Sequence, residues 1–109
     1  MFFVVINRYN NMELVIQILK EDIQKGQRCT SYKCPLACAV RRICLLSKFV
    51  TVHVNEFVVF LEKEKITFCI PNEVQEIIAL YDATGEMKEF TFRAVVLKLE
   101  SLVQDFFNA

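Results

Sequence analysis

The sequence predicts an α+β domain, a mainly antiparallel sheet of about four to six strands with helices packed mostly on one side. Three observations carry this. Apolar residues make up 54% of the 109-residue chain, with ten Phe and only two Gly and two Pro, a composition that buries a core rather than one that stays disordered. The stretch from Phe49 to Ile70 alternates apolar and polar residues at period two. Segments with helical spacing lie on either side of it. A chain of this length folds as a single globular domain, residues 1–109, without needing metals or disulfides.

The elements follow in chain order. Phe2 to Ile6 and Leu14 to Leu19 are rich in β-branched and aromatic residues, and Asn7 to Asn11 between them supplies turn residues, which predicts two strands or a hairpin. Glu21 to Lys25 predicts a short helix stopped by Gly26 in the left-handed conformation, followed by a polar loop from Gln27 to Lys33. Pro35 suits a first helical position. Leu36, Ala39, Val40, Ile43 and Leu46 then recur at helical spacing, with Arg41 and Arg42 on the other side. Val50, Val52 and Val54, then Ile66, Phe68 and Ile70, predict three antiparallel strands turning near Asn55-Glu56 and at Glu62 to Lys65. Asn72 as N-cap, with Gln75 three residues on, opens a helix along Val74, Ile77, Ile78 and Tyr81, and Gly85 closes it. Phe90 to Phe92 reads as a short strand. Val95, Leu99, Leu102, Val103 and Phe106 read as the inner face of a C-terminal helix.

Composition also limits function. Thirteen basic and thirteen acidic residues cancel, so no global charge draws the chain to nucleic acid or an anionic membrane. The charge is segregated, however: Lys20 to Lys48 holds seven basic residues against Glu21 and Asp22, whereas Phe49 to Ala109 holds five basic and ten acidic. The apolar start, Phe2 to Ile6, falls far short of the about 20 residues that cross a bilayer, so no membrane association is expected. Five cysteines, an odd number clustered around one helix, suit a reducing, cytoplasmic compartment.

The segment Gly26 to Arg41, with Cys34-Pro35-Leu36-Ala37 and a second Ala39, resembles a group of short, largely uncharacterised accessory proteins of phage and prophage genomes. Ile70-Pro71-Asn72-Glu73-Val74, then Tyr81 to Gly85 and Phe90-Thr91-Phe92, follow in the same order, so that the resemblance spans about Met12 to Arg93. Members often carry a Cys three residues before the Cys-Pro, a position that is Ser31 here, with Cys29 nearby. The resemblance implies a mobile-element accessory protein in the host cytoplasm that binds a host protein, with a defence or regulatory factor as the target class. It implies no reaction.

Candidate chemistry concentrates in the same segment. Cys29, Cys34, Cys38 and Cys44 with His53 are zinc-type ligands, but they lack the repeated short knuckles of zinc sites, and no metal or other cofactor is expected. Cys34, at a helix N-terminus beside Lys33, is a candidate reactive thiol. Catalysis would also need a base in reach, and His53 lies in a predicted strand without a carboxylate at a telling spacing. Arg28, Thr30, Ser31 and Lys33 at the helix start are the ingredients of an anion site, for a phosphorylated nucleotide-like ligand that is bound or turned over there. With Arg41 and Arg42 they instead make a broader partner surface. Tyr9, Tyr32 and Tyr81 are scattered rather than interleaved with the basic residues, the Phe residues fall mostly at core positions, and helix-turn-helix signals are absent. Three functions therefore stand beside one another: a non-enzymatic binder of a host component, a binder or enzyme for an anionic nucleotide, and a metal-dependent nucleic-acid-binding protein. The residues leave a homodimer open.

Overall fold

The computed structural model describes residues 4–6 and 12–102. Among these residues six strands and three helices follow in the order β1 (Val4–Ile6), β2 (Met12–Ile18), α1 (Lys20–Lys25), α2 (Pro35–Ile43), β3 (Phe49–Val52), β4 (Glu56–Phe60), β5 (Glu64–Cys69), α3 (Asn72–Thr84) and β6 (Phe90–Ser101). The strands form one sheet in the order β1-β2-β6-β5-β4-β3, with every neighbouring pair antiparallel. This is the predicted α+β class. The turn expected at Asn7 to Asn11 lies outside the described residues.

One face of the sheet holds the core. Leu14, Ile16 and Ile18 of β2, Val50 and Val52 of β3, Phe57 and Val59 of β4, Ile66 and Phe68 of β5, and Phe92 and Ala94 of β6 are buried at alternate positions. They form one cluster with Leu36, Ala37, Ala39 and Val40 of α2 and Val74 of α3. Phe57 and Phe68, paired across β4 and β5, stack with centroids 4.8 Å apart. Alternation that points one way and helices that pack on that face are the same physical fact, because the helices cover what the pleat turns toward them.

The predicted C-terminal helix is a strand. β6 runs through the middle of the sheet, pairing with β2 from Phe90 to Val95 and with β5 from Val96 to Ser101. Between Phe68↔Val96 and Thr67↔Lys98 the register shifts, leaving Leu97 as an extra residue. Val95 and Leu99, four residues apart and expected on one helical face, are instead placed by the strand opposite Glu13 of β2 and Ile66 of β5, on either side of the bulge, and Leu99 is exposed. Val103 and Phe106 lie outside the described residues.

Smaller boundaries also differ. Gly26 ends α1 in an extended conformation, φ −69° and ψ 154°, not a left-handed one. Its need for glycine is spatial, since a Cβ there would lie 2.7 Å from the Pro35 ring. Pro71, not Asn72, occupies the N-cap of α3, and Gln75 turns back to donate to the Ile70 carbonyl at 2.8 Å. Gly85 does take the left-handed conformation, φ 78°, with its N–H donating to the Tyr81 carbonyl. Helix α2 stops at Ile43, so Leu46 is exposed rather than part of an apolar stripe.

Candidate functional site

The polar loop between α1 and α2 divides the predicted site residues between two concave surfaces. On one side, Lys33, Arg41 and Arg42 line a groove of about 570 Å³ together with Lys25 and Gln27. On the other, Cys29, Thr30, Ser31 and Cys34 line a cleft of about 350 Å³ against the end of β3 and α3, opposite His53, Gln75 and Asp82. Arg28 lines neither. Lys25 and Gln27 follow from the loop's fold, in which the Gln27 N–H donates to the Lys33 carbonyl at 2.8 Å and brings the loop's two ends together. Nothing in the spacing of Lys25 and Arg41 announces that they share a groove.

Two of the basic residues serve the fold. Arg28 donates through Nε and Nη2 to the Asp82 carbonyl and through Nη2 to the Ala83 carbonyl, at 3.1, 2.9 and 2.8 Å, which satisfies carbonyls that the last turn of α3 leaves without helical partners. Arg42 donates to both oxygens of Asp22, at 3.2 and 2.9 Å, and to the Gln17 carbonyl at 2.6 Å, so it joins α2 to α1 and β2. The hydrogen bond to Asp22 also raises the Arg42 pKa. Arg41 donates to the Tyr32 carbonyl and, at 3.5 Å, to the Cys38 sulfur, which sets its guanidinium on the groove wall beside Lys33. Lys25 and Lys33 are exposed.

The start of α2 is closed rather than open. Cys34 is 2% exposed, and Pro35, Leu36 and Ala37 are buried with it. Burial raises the Cys34 pKa, outweighing the Leu36 and Ala37 N–H groups that act in the opposite direction. The thiol is therefore held protonated, the reverse of what a helix N-terminus alone would do, and the first residues of α2 are packed away from solvent. Thr30 donates its hydroxyl to the Gln27 carbonyl, and the Ser31 carbonyl accepts from the Val52 N–H at the edge of the sheet. Cys29 is exposed in the left-handed region, φ 57°, with its N–H donating to Asp82 Oδ1 at 2.9 Å.

Aromatic residues lie beside the groove-lining Lys33. Tyr32, next to Lys33, meets Phe49 of edge strand β3 with ring centroids 6.2 Å apart, and Phe49 meets Phe60 of β4 at 6.0 Å. Phe49 and Phe60 lie on the sheet face opposite the core, so they are not the packing residues that their apolar character suggests. The partition of Phe residues into core and surface was readable from strand parity: Phe49 alternates with Val50, and Phe60 with Val59.

Among the described residues no group of three or more His, Cys, Asp or Glu side chains is gathered to hold a metal ion, and no helix is long and apolar enough to cross a membrane. No protein-family model matches the chain, and neither a curated protein nor a solved structure is significantly similar to it.

Proposed function

We propose that the chain is a small non-enzymatic accessory protein of a phage or related mobile element, which binds a host component through the basic groove beside α2. The observation that carries the surface is the convergence of Lys25, Lys33 and Arg41 on one groove whose lining acid, Asp22, is already paired with Arg42. Positive charge is thus left over in the groove for an anionic partner. The host-directed part of the reading rests on the resemblance of the Gly26 to Arg41 segment to phage accessory proteins. Binding is favoured over thiol catalysis because burial holds Cys34 protonated. It is favoured over a nucleotide site at the Gly26 to Pro35 loop because the first residues of α2 are packed away from solvent.

The test is affinity capture from bacterial lysate with the wild-type chain and with Lys25→Glu/Lys33→Glu. The double reversal should lose the captured partner, and rising salt should weaken the wild-type interaction, since exposed charges are screened beyond about 8 Å at physiological ionic strength. A partner held equally well by both chains would place the binding surface elsewhere. Stabilisation by a nucleotide in a thermal-shift screen, also lost on reversal, would favour the small-anion reading.

A further inference from the structure

Tyr32 and Lys33 are neighbours in sequence, yet they face different features: the Lys33 side chain lines the basic groove, and the Tyr32 ring meets the edge of the sheet. We propose that the groove's binding surface continues onto Tyr32 and Phe49, and that its ligand is an acidic polypeptide segment carrying an aromatic or large aliphatic side chain. This rests on the binding reading above and gives its partner a chemistry.

Continuity is the first support. Arg41 belongs to the groove wall and also donates to the Tyr32 carbonyl, while the Lys33 ammonium lies 5.9 Å from the Tyr32 ring centroid. The cations and the aromatic pair are therefore one surface. Tyr32 and Phe49 are 47% and 48% exposed, large apolar areas to leave in water beside charged groups. Aromatic anchors next to a charged rim are what protein-binding surfaces concentrate their energy in. Charge fixes the sign of the partner's rim, because Lys25, Lys33 and Arg41 border this end of the patch and Lys48, exposed, immediately precedes Phe49.

The same rings argue against single-stranded nucleic acid, the other polyanion with flat groups. A base ladder needs open, successive ring faces. Here Phe49 tilts by 36° against Tyr32 and by 47° against Phe60, so the rings pack on one another. Lys33 lies over Tyr32, and Lys65 lies over Phe60 at 5.7 Å, so a base stacking from those sides would displace an ammonium.

The experiment measures fluorescence anisotropy of three labelled probes: a short peptide with Asp and Glu flanking Phe and Leu, the same peptide with Ser for Phe and Leu, and oligothymidylate. The wild-type chain should bind the first about tenfold more tightly than the second, the scale of one well-placed aromatic contact. Phe49→Ser and, independently, Tyr32→Ser should erase that ratio while leaving the Ser peptide's binding unchanged. Lys25→Glu/Lys33→Glu should abolish binding of both peptides. Equal binding of the two peptides, a ratio that survives both aromatic substitutions, or a preference for oligothymidylate overturns this proposal while leaving a charge-driven groove intact. Binding of no anionic probe to the wild-type chain overturns the groove reading and this proposal together.

Discussion

Arg28 and Asp82 are joined twice over: the guanidinium donates to the Asp82 carbonyl, and the Asp82 carboxylate accepts the N–H of Cys29, the residue that follows Arg28. A loop and a helix more than fifty residues apart are thereby fixed to each other, and the 350 Å³ cleft lies beside the join. The Arg28 chain also runs close over Gly85, its Cδ 3.4 Å from where a Cβ would stand. Arg28 is thus a tertiary cap of α3, although its charge and loop position read in sequence as part of an anion site.

Replacing Arg28 with Ala should lower stability by about 1–2 kcal/mol, the range for losing exposed, charge-assisted hydrogen bonds to helix-end carbonyls. Arg28→Lys should recover little, because an ammonium cannot reproduce the two-point fork. Urea denaturation measures both. Peptide binding at the groove should be unchanged in either variant, and a loss of binding at unaltered stability would return Arg28 to the partner surface.

The Arg42–Asp22 pair should respond asymmetrically to truncation. The Asp22 side chain is 3% exposed and that of Arg42 33%, with 2.9 Å between Nη2 and Oδ2. Arg42→Ala strands a carboxylate away from water and should cost about 3 kcal/mol or more. Asp22→Ala leaves a guanidinium that can turn to solvent, but it also removes the acceptor of the Leu19 N–H, and should cost about 1–2 kcal/mol. Equal losses in denaturation experiments would mean that the two groups are equally solvated in the folded chain.

These two arginines show what was legible in the sequence and what was not. Strand parity and helical spacing depend on nearest neighbours along the chain, so β3, β4, β5, α2 and α3 were readable to within a few residues. The Leu97 bulge interrupts period-two alternation, so the four-residue spacing of Val95 and Leu99 suggests a helix where the chain forms β6. Side-chain roles depend on what the loop packs against. Arg28 and Lys33 are both exposed loop cations in sequence, and only the position of α3's last turn separates a cap from a groove residue. Phe49 fails for the opposite reason: its parity was legible, but its exposure depends on β3 being an edge strand with no helix on that face.

Alkaline pH should destabilise the chain through its buried acids. Burial pushes the Cys44 thiol from about 9 up to about 12 and raises Cys34 in the same direction. Tyr81 is raised as well, again chiefly by burial. A group whose pKa is raised by folding stabilises the native state in full below its unfolded pKa, and that contribution is lost as pH rises through the folded pKa. For Cys44 the window runs from about pH 9 to about pH 12. Urea midpoints under reducing conditions should be flat below the window and fall within it. Cys44→Ala should flatten part of that fall while lowering neutral-pH stability by about 1 kcal/mol through lost packing; an unaltered alkaline slope would assign the dependence to the other groups.

Thiol accessibility tests the closed start of α2 directly. Cys29 is exposed, Cys38 and Cys69 are half-buried, and Cys34 and Cys44 are buried. Alkylation needs both contact with the reagent and a thiolate, and burial denies Cys34 and Cys44 each of these. Brief native-state labelling near neutral pH, read by mass spectrometry, should therefore modify Cys29 first and Cys38 and Cys69 more slowly. Cys34 and Cys44 should wait for opening of the core and lag Cys29 by about a thousandfold or more, the factor set by a local opening free energy of about 4 kcal/mol. Adding urea should bring their rates up together with the loss of structure. If Cys34 instead labels as fast as Cys29 in the native chain, the first turn of α2 is open to solvent, and the reactive-thiol and small-anion readings of that helix start regain their footing over the groove.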